Sequence, residues 1–269
     1  MLMIRHNAEI KAVLSDIDST QIIAGNDMPS VEVLAAAQGL HQNNIPLLNV
    51  TARSHNLLKN IAGPLSLGEN LCTLDGGATV ARATSGDIIW SNWLEPTQAR
   101  DICITLGPLT TRIYYNPDSR NFSHEQLLTG LQSNKLPSYS AAIFAVFEIG
   151  KSADILQCLG DFPTTQHTPV MDYKGHDLLR CMQITCEGVS KFSGGSKMLE
   201  FAGLQSDSIL AIGDGYNDIP LFELAKDGIK VAMGNACEEL KDLADWVAPP
   251  VEEHGFAIAM DHFGLTHTE

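Results

Sequence analysis

Four short apolar runs, Ile10 to Leu14, Ile45 to Val50, Ser208 to Ile212 and Ile229 to Met233, dominate what this chain can become. Each is of strand length, and a short run without polar alternation reads as a strand buried on both faces. Helical patterns separate many of them. Ser30 to His41 sets Val33, Leu34, Ala37 and Leu40 at helical spacing, and Gly195 to Ala202 does the same with Met198, Leu199 and Ala202. Asp218 to Ala225 and Ala236 to Ala244 continue the alternation. Strand and helix in turn predict an α/β fold with a doubly wound, Rossmann-like parallel sheet.

The middle of the chain follows another rule. After Leu71 to Leu74, two strand-like stretches flank the turn Thr84-Ser85-Gly86-Asp87, and a helical segment follows at Pro96 to Leu106. Strand-like runs recur at Arg112 to Tyr115, Ala142 to Phe147, Thr168 to Tyr173 and Leu178 to Thr185, with helical stretches near His124 to Leu131 and Ala153 to Leu159. This predicts a core built from residues 1–82 and 188–269, with residues 83–187 inserted as an α+β cap domain.

A formal net charge of −15 argues against a nucleic-acid surface, which needs clustered Lys and Arg. No run of about 18 apolar residues predicts a membrane span, and no apolar stretch of signal-peptide length precedes Asp16. The six cysteines lack a CxxC pair, so reduced thiols in a cytoplasmic protein are expected rather than zinc or disulfides. A small anionic substrate stays open, provided local cations overcome the overall negative field. Oligomeric state is not legible.

Three of the apolar runs end in polar clusters: Leu14 leads into Ser15-Asp16-Ile17-Asp18-Ser19-Thr20, Val50 into Thr51-Ala52-Arg53, and Ile212 into Gly213-Asp214-Gly215-Tyr216-Asn217-Asp218. Open parallel sheets bind ligands beyond the carboxyl ends of their strands, so these clusters are expected to meet. Neighbouring carboxylates repel, and a divalent cation relieves that repulsion. Mg2+ takes hard oxygen ligands from few protein groups, which suits Asp16 and Asp214 with a backbone carbonyl and waters. DxDxT alone reads equally well as a polar turn. A calcium loop fails on its sixth position, Gln21, where glycine is needed.

Taken in order, the segments SDIDST, VTARS, GVSKFSGGSKML and GDGYND resemble the four motifs of the haloacid dehalogenase superfamily, and in particular its Cof-type phosphatases with a large cap before the third motif. The resemblance continues through KVAMGNACEELKDLADWV and EEHGFAIA. It implies a magnesium-dependent phosphatase acting on a small phosphorylated metabolite, a sugar phosphate or similar monoester. In that pattern Asp16 is the nucleophile and Asp18 the general acid and base, its main-chain carbonyl also ligating Mg2+. Lys191 is the charge clamp, and Asp214 and Asp218 complete the metal site. Thr51, Ala52, Arg53 and Asn217 would meet the substrate. A phosphomutase shares the same nucleophile and acid–base pair, and a non-catalytic phospholigand-binding protein on this fold is the alternative of another class. Ser19 stands where the pattern has glycine, as does Ala52, and each adds a side chain near the phosphate pocket.

GVSKFSGGSK does not satisfy GxxxxGK[ST], so no nucleotide P-loop is expected. No two of the nine histidines form a ligand pair at helical spacing, and Lys197 is expected to turn away from the site.

Overall fold

The computed structural model describes residues 9–115, 120–122, 140–173 and 176–266. Five parallel strands form the main sheet: β1 (Ala12–Ser15), β2 (Leu47–Asn49), β12 (Ile209–Gly213), β13 (Ile229–Ala232) and β14 (Trp246–Val247), in the spatial order β14-β13-β12-β1-β2. β1 and β12 lie side by side, Ser15 opposite Ile212. From β1 the chain crosses through α1 (Val31–Gln42) to β2 on one side, and α2 (His55–Ala62) follows β2. From β12 it crosses through α6 (Ile219–Leu224) to β13 and through α7 (Glu238–Leu243) to β14 on the other. Right-handed crossovers running in opposite directions put their helices on opposite faces, which is the doubly wound arrangement. The reversal falls between β1 and β12.

Local chemistry sets the helix starts. Ser30 accepts a hydrogen bond from the Val33 N–H and caps α1. The helix expected from Gly195 begins four residues earlier, as α5 (Lys191–Ala202), because Ser190 and Ser193 form a reciprocal capping box that periodicity does not reveal. Ser190 thereby fixes Lys191 as the first helical residue.

An antiparallel sheet of β3 (Leu71–Leu74), β4 (Thr79–Arg82) and β5 (Ile88–Ser91) joins the main sheet where Val50 bridges Thr73. Its turn, Asp75-Gly76-Gly77, runs under the start of α5. Gly77 has φ +115°, and a Cβ there would stand 1.9 Å from the Ser190 carbonyl oxygen, so only glycine permits this approach.

A second sheet has the order β10-β11-β8-β6-β7, from β6 (Arg112–Tyr115), β7 (Arg120–Phe122), β8 (Ile143–Glu148), β10 (Met171–Asp172) and β11 (Leu179–Cys186), with β9 (Thr165–His167) also on β11. The strand expected over Thr168 to Tyr173 is realised only as β10. Strand alternation divides the faces of this sheet. Ile113, Ile143, Ala145, Phe147, Met182 and Ile184 pack into one hydrophobic cluster with α3 (Pro96–Leu106) and α4 (Ser152–Leu159). The opposite face carries the cross-strand row Tyr114, Phe144 and Gln183. The helix expected at His124 to Leu131 lies outside the described residues.

The main-sheet cluster is separate and includes Leu74, Val80 and Ala83. β5, which a division at residue 83 puts in the insert, packs by Trp90 on this main cluster, whereas the second begins at Leu94. Trp93 donates to Thr79 at 2.9 Å and rests on Ala78, Ala141 and Val189 where the chain passes between the clusters.

Candidate active site

The topological reversal between β1 and β12 brings Asp16 and Asp214 together at adjacent strand ends, and α5 delivers Lys191 between Asp16 and Asp218. Lys191 is 4% exposed, and its Nζ donates at 2.6 Å both to Asp16 Oδ1 and to Asp218 Oδ1. The second oxygen of Asp218 accepts from the backbone N–H groups of Asp214 and Gly215, each at 2.9 Å. Asp218 thus holds both the ammonium and the loop that carries Asp214. Burial alone would depress the Lys191 ammonium, but the two carboxylates outweigh it and raise its pKa.

Asp16, Asp214 and Asp218 each offer an oxygen within 4.8 Å of the others. Burial pushes the Asp16 carboxyl up to about 8; Lys191 opposes the shift and Asp218, Asp214 and Asp18 add to it. The Asp16 main-chain carbonyl is pinned by the Ser15 hydroxyl at 2.6 Å and by the Gln21 amide at 3.0 Å.

Asp18 faces elsewhere. Its carboxylate receives a two-pronged bond from Arg53, at 2.7 and 3.0 Å, and its side chain is 52% exposed. The carboxylate of Asp18 therefore lies outside the three-carboxylate group. Thr51 is fully buried and accepts from the Arg53 N–H at 3.1 Å. Ala52 sits between two clefts: one shared with Lys191, Asn217 and Gln183, the other with Asp18, Arg53, Tyr114 and Phe144. Lys197 pairs with Glu200 on the exposed side of α5, as expected. Ser19 holds a left-handed backbone, φ 63°, the conformation that explains glycine in the family pattern.

Two residues inside the quoted segments have site contacts to which the sequence reading gives no role. Asn235, just beyond β13, donates to the Ser19 carbonyl at 2.9 Å and accepts from the Val251 N–H at 2.8 Å, with Asp214 Oδ2 at 3.5 Å. It ties the first strand end to the third, and its signal was available: it stands after an apolar run, as the other site residues do. Thr20 donates to Asp214 Oδ1 at 3.2 Å.

Asp16, Asp214 and Asp218 converge, and Lys191 is the cation paired with two of these three carboxylates among the described residues. This surplus of hard, converging oxygens is the donor set a small divalent cation takes, so the residues present fit Mg2+.

Residues 13–260 match the family of haloacid dehalogenase-like hydrolases, and the chain belongs to that family of enzymes. A stress response protein of Bacillus subtilis is 43% identical over 82 residues, 30% of this chain and 28% of that protein. The chain thus spans under a third of that relative's length. A phosphoglycolate phosphatase of Methanothermobacter thermautotrophicus is 24% identical over 94% of this chain and 99% of its own. The solved structure of a subclass IIB sugar phosphatase of the superfamily superposes with a TM-score of 0.72 at 19% identity, over 95% of this chain and 99% of that one. Among the described residues no helix is long and apolar enough to cross a membrane.

Proposed function

We propose that this chain is a magnesium-dependent phosphatase that hydrolyses a small phosphomonoester through a phosphoryl group carried on Asp16. The observation that carries the reading is the buried Asp16–Lys191–Asp218 contact beside Asp214 at the reversal of the sheet. The phosphatase among the full-length relatives supports it.

In the proposed reaction the Asp16 carboxylate attacks phosphorus and the ester P–O bond breaks. Asp18, released from Arg53 and protonated from solvent, gives that proton to the leaving oxygen. Water then attacks the phosphoryl group while Asp18 takes its proton, which frees inorganic phosphate and restores Asp16. Lys191, Thr51 and Asn217 hold the phosphoryl oxygens, with the backbone at Ala52 and Arg53 shaping the rim. Mg2+, held by Asp16, the Asp18 carbonyl and Asp214 with Asp218 behind, would supply the positive charge that keeps Asp16 ionised and screens the incoming phosphate.

The unit built on the second hydrophobic cluster is proposed as the cap that covers the site and selects the leaving group, with β5 left to the core. A sugar phosphate is one candidate substrate, and the superfamily sugar phosphatase with the same fold supports that class. The test is hydrolysis of a generic aryl phosphate with Mg2+. Turnover should vanish with a chelator and in Asp16→Asn; undiminished turnover in that variant would sink the assignment. Isomerised sugar phosphate with little free phosphate would instead indicate a mutase.

A further inference from the structure

Ala52 divides the space between the two sheets into unlike halves. The half containing Lys191 mixes Gln166, Thr168, Gln183 and Asn217 with Pro169, Val189 and Pro220 and has only Tyr216 as an aromatic carbocycle. The half containing Asp18 is a cavity of about 300 Å³ walled by Tyr114, Phe144 and Tyr173, with Leu57 and Arg53 across from them. The difference comes from one cross-strand row, which runs from Tyr114 through Phe144 to Gln183 on the face turned away from α3 and α4.

The aromatic wall is built rather than incidental. Tyr114 meets Phe144 edge to face at 6.0 Å, and the Tyr114 and Tyr173 hydroxyls lie 3.2 Å apart, engaged with each other and with the exposed Arg112 guanidinium. Tyr173 is backed by His176, stacked at 5.4 Å. Opposite, Leu57 is 46% exposed although apolar. The charges at the floor, Asp18 and Arg53, are paired with one another. A polyol would exchange water for a wall of ring faces, whereas a planar apolar ring gains contact on both sides.

We infer that this cavity binds the leaving group, and that the preferred substrate is a phosphomonoester whose alcohol carries one planar aromatic ring. The assignment rests on the proposed function, because Asp18 is the group that must reach the ester oxygen and it opens into this half. At about 300 Å³ the cavity is at the small end of ligand sites, which fits one ring system.

The test compares benzyl phosphate, cyclohexylmethyl phosphate, hexose 6-phosphate and ethyl phosphate, all primary-alcohol esters, with full-length protein and Mg2+. Benzyl phosphate should lead hexose 6-phosphate about tenfold in kcat/KM, with cyclohexylmethyl phosphate between. Phe144→Ala should cut the benzyl-to-ethyl ratio about tenfold, mainly through KM. Tyr173→Leu, checked for an unchanged melting temperature, serves if Phe144→Ala misfolds. A preference for the hexose ester, or an unchanged ratio in a folded variant, overturns the inference while leaving the phosphatase reading intact. Calorimetry with benzylphosphonate reads the cavity without turnover: weaker binding in the variants supports it even if no ester is hydrolysed, and equal binding refutes it.

Discussion

Mg2+ binding to this site should depend steeply on pH, with a sign fixed by Asp16. Burial and three neighbouring carboxylates push its carboxyl up to about 8, while Lys191 only partly offsets them. Below that value the metal-free protein holds a proton on Asp16, and a metal must displace it. Affinity should therefore rise about tenfold per pH unit below 8 and level off above it. From pH 6 to 8, where half of the carboxyl is still protonated, this amounts to about 50-fold, or about 2.3 kcal/mol. Stability without metal runs the other way. The native state keeps a proton that the unfolded chain releases near 3.8, so this group's contribution is present below that value and fades as pH rises through about 8. Calorimetric Mg2+ titrations in two buffers of different ionisation enthalpy would report affinity and proton release together. Close to one proton per metal at pH 7 is expected. An affinity flat from pH 6 to 8, with no proton released, would refute the electrostatic description of Asp16.

Three substitutions test the supports of the site. Lys191→Met leaves Asp16 and Asp218 buried without their common cation, and should cost about 3–5 kcal/mol, a fall in melting temperature on the order of 10 °C without metal. Asn235→Ala unties Ser19 from the loop that holds Asp214 and should weaken Mg2+ binding about tenfold by titration. Gly77→Ala drives a Cβ into the Ser190 carbonyl and should cost about 3 kcal/mol in denaturant unfolding while displacing Lys191. Gly63→Ala, with open space at its Cβ, is the control and should change stability by less than about 0.5 kcal/mol.

The main sheet was legible because its strands are buried on both faces and so appear as short apolar runs. Asp16, Thr51 and Asp214 were legible for a related reason: polar residues directly after such runs sit at strand ends. Lys191 needed the resemblance, since a lysine near glycines says little alone, and its burial depends on Gly77 letting the turn after β3 pass beneath α5. The start of α5 was misjudged because capping by Ser190 and Ser193 leaves no hydrophobic period. The packing of β5 was obscure because Trp90 meets the main cluster through tertiary contacts rather than through local pattern. Tyr114, Phe144 and Tyr173 escaped notice for the same reason: they come from separate strands and loops, and only the register of the second sheet assembles them.

The central claim is that Asp16 carries the phosphoryl group during turnover. Rapid acid quenching of the protein with Mg2+ and a phosphomonoester, followed by peptide mass spectrometry, tests it directly. The peptide containing Asp16 should carry a phosphoryl group that hydroxylamine removes, absent from Asp16→Asn. Hydrolysis that proceeds with the phosphoryl group on another residue would contradict the account.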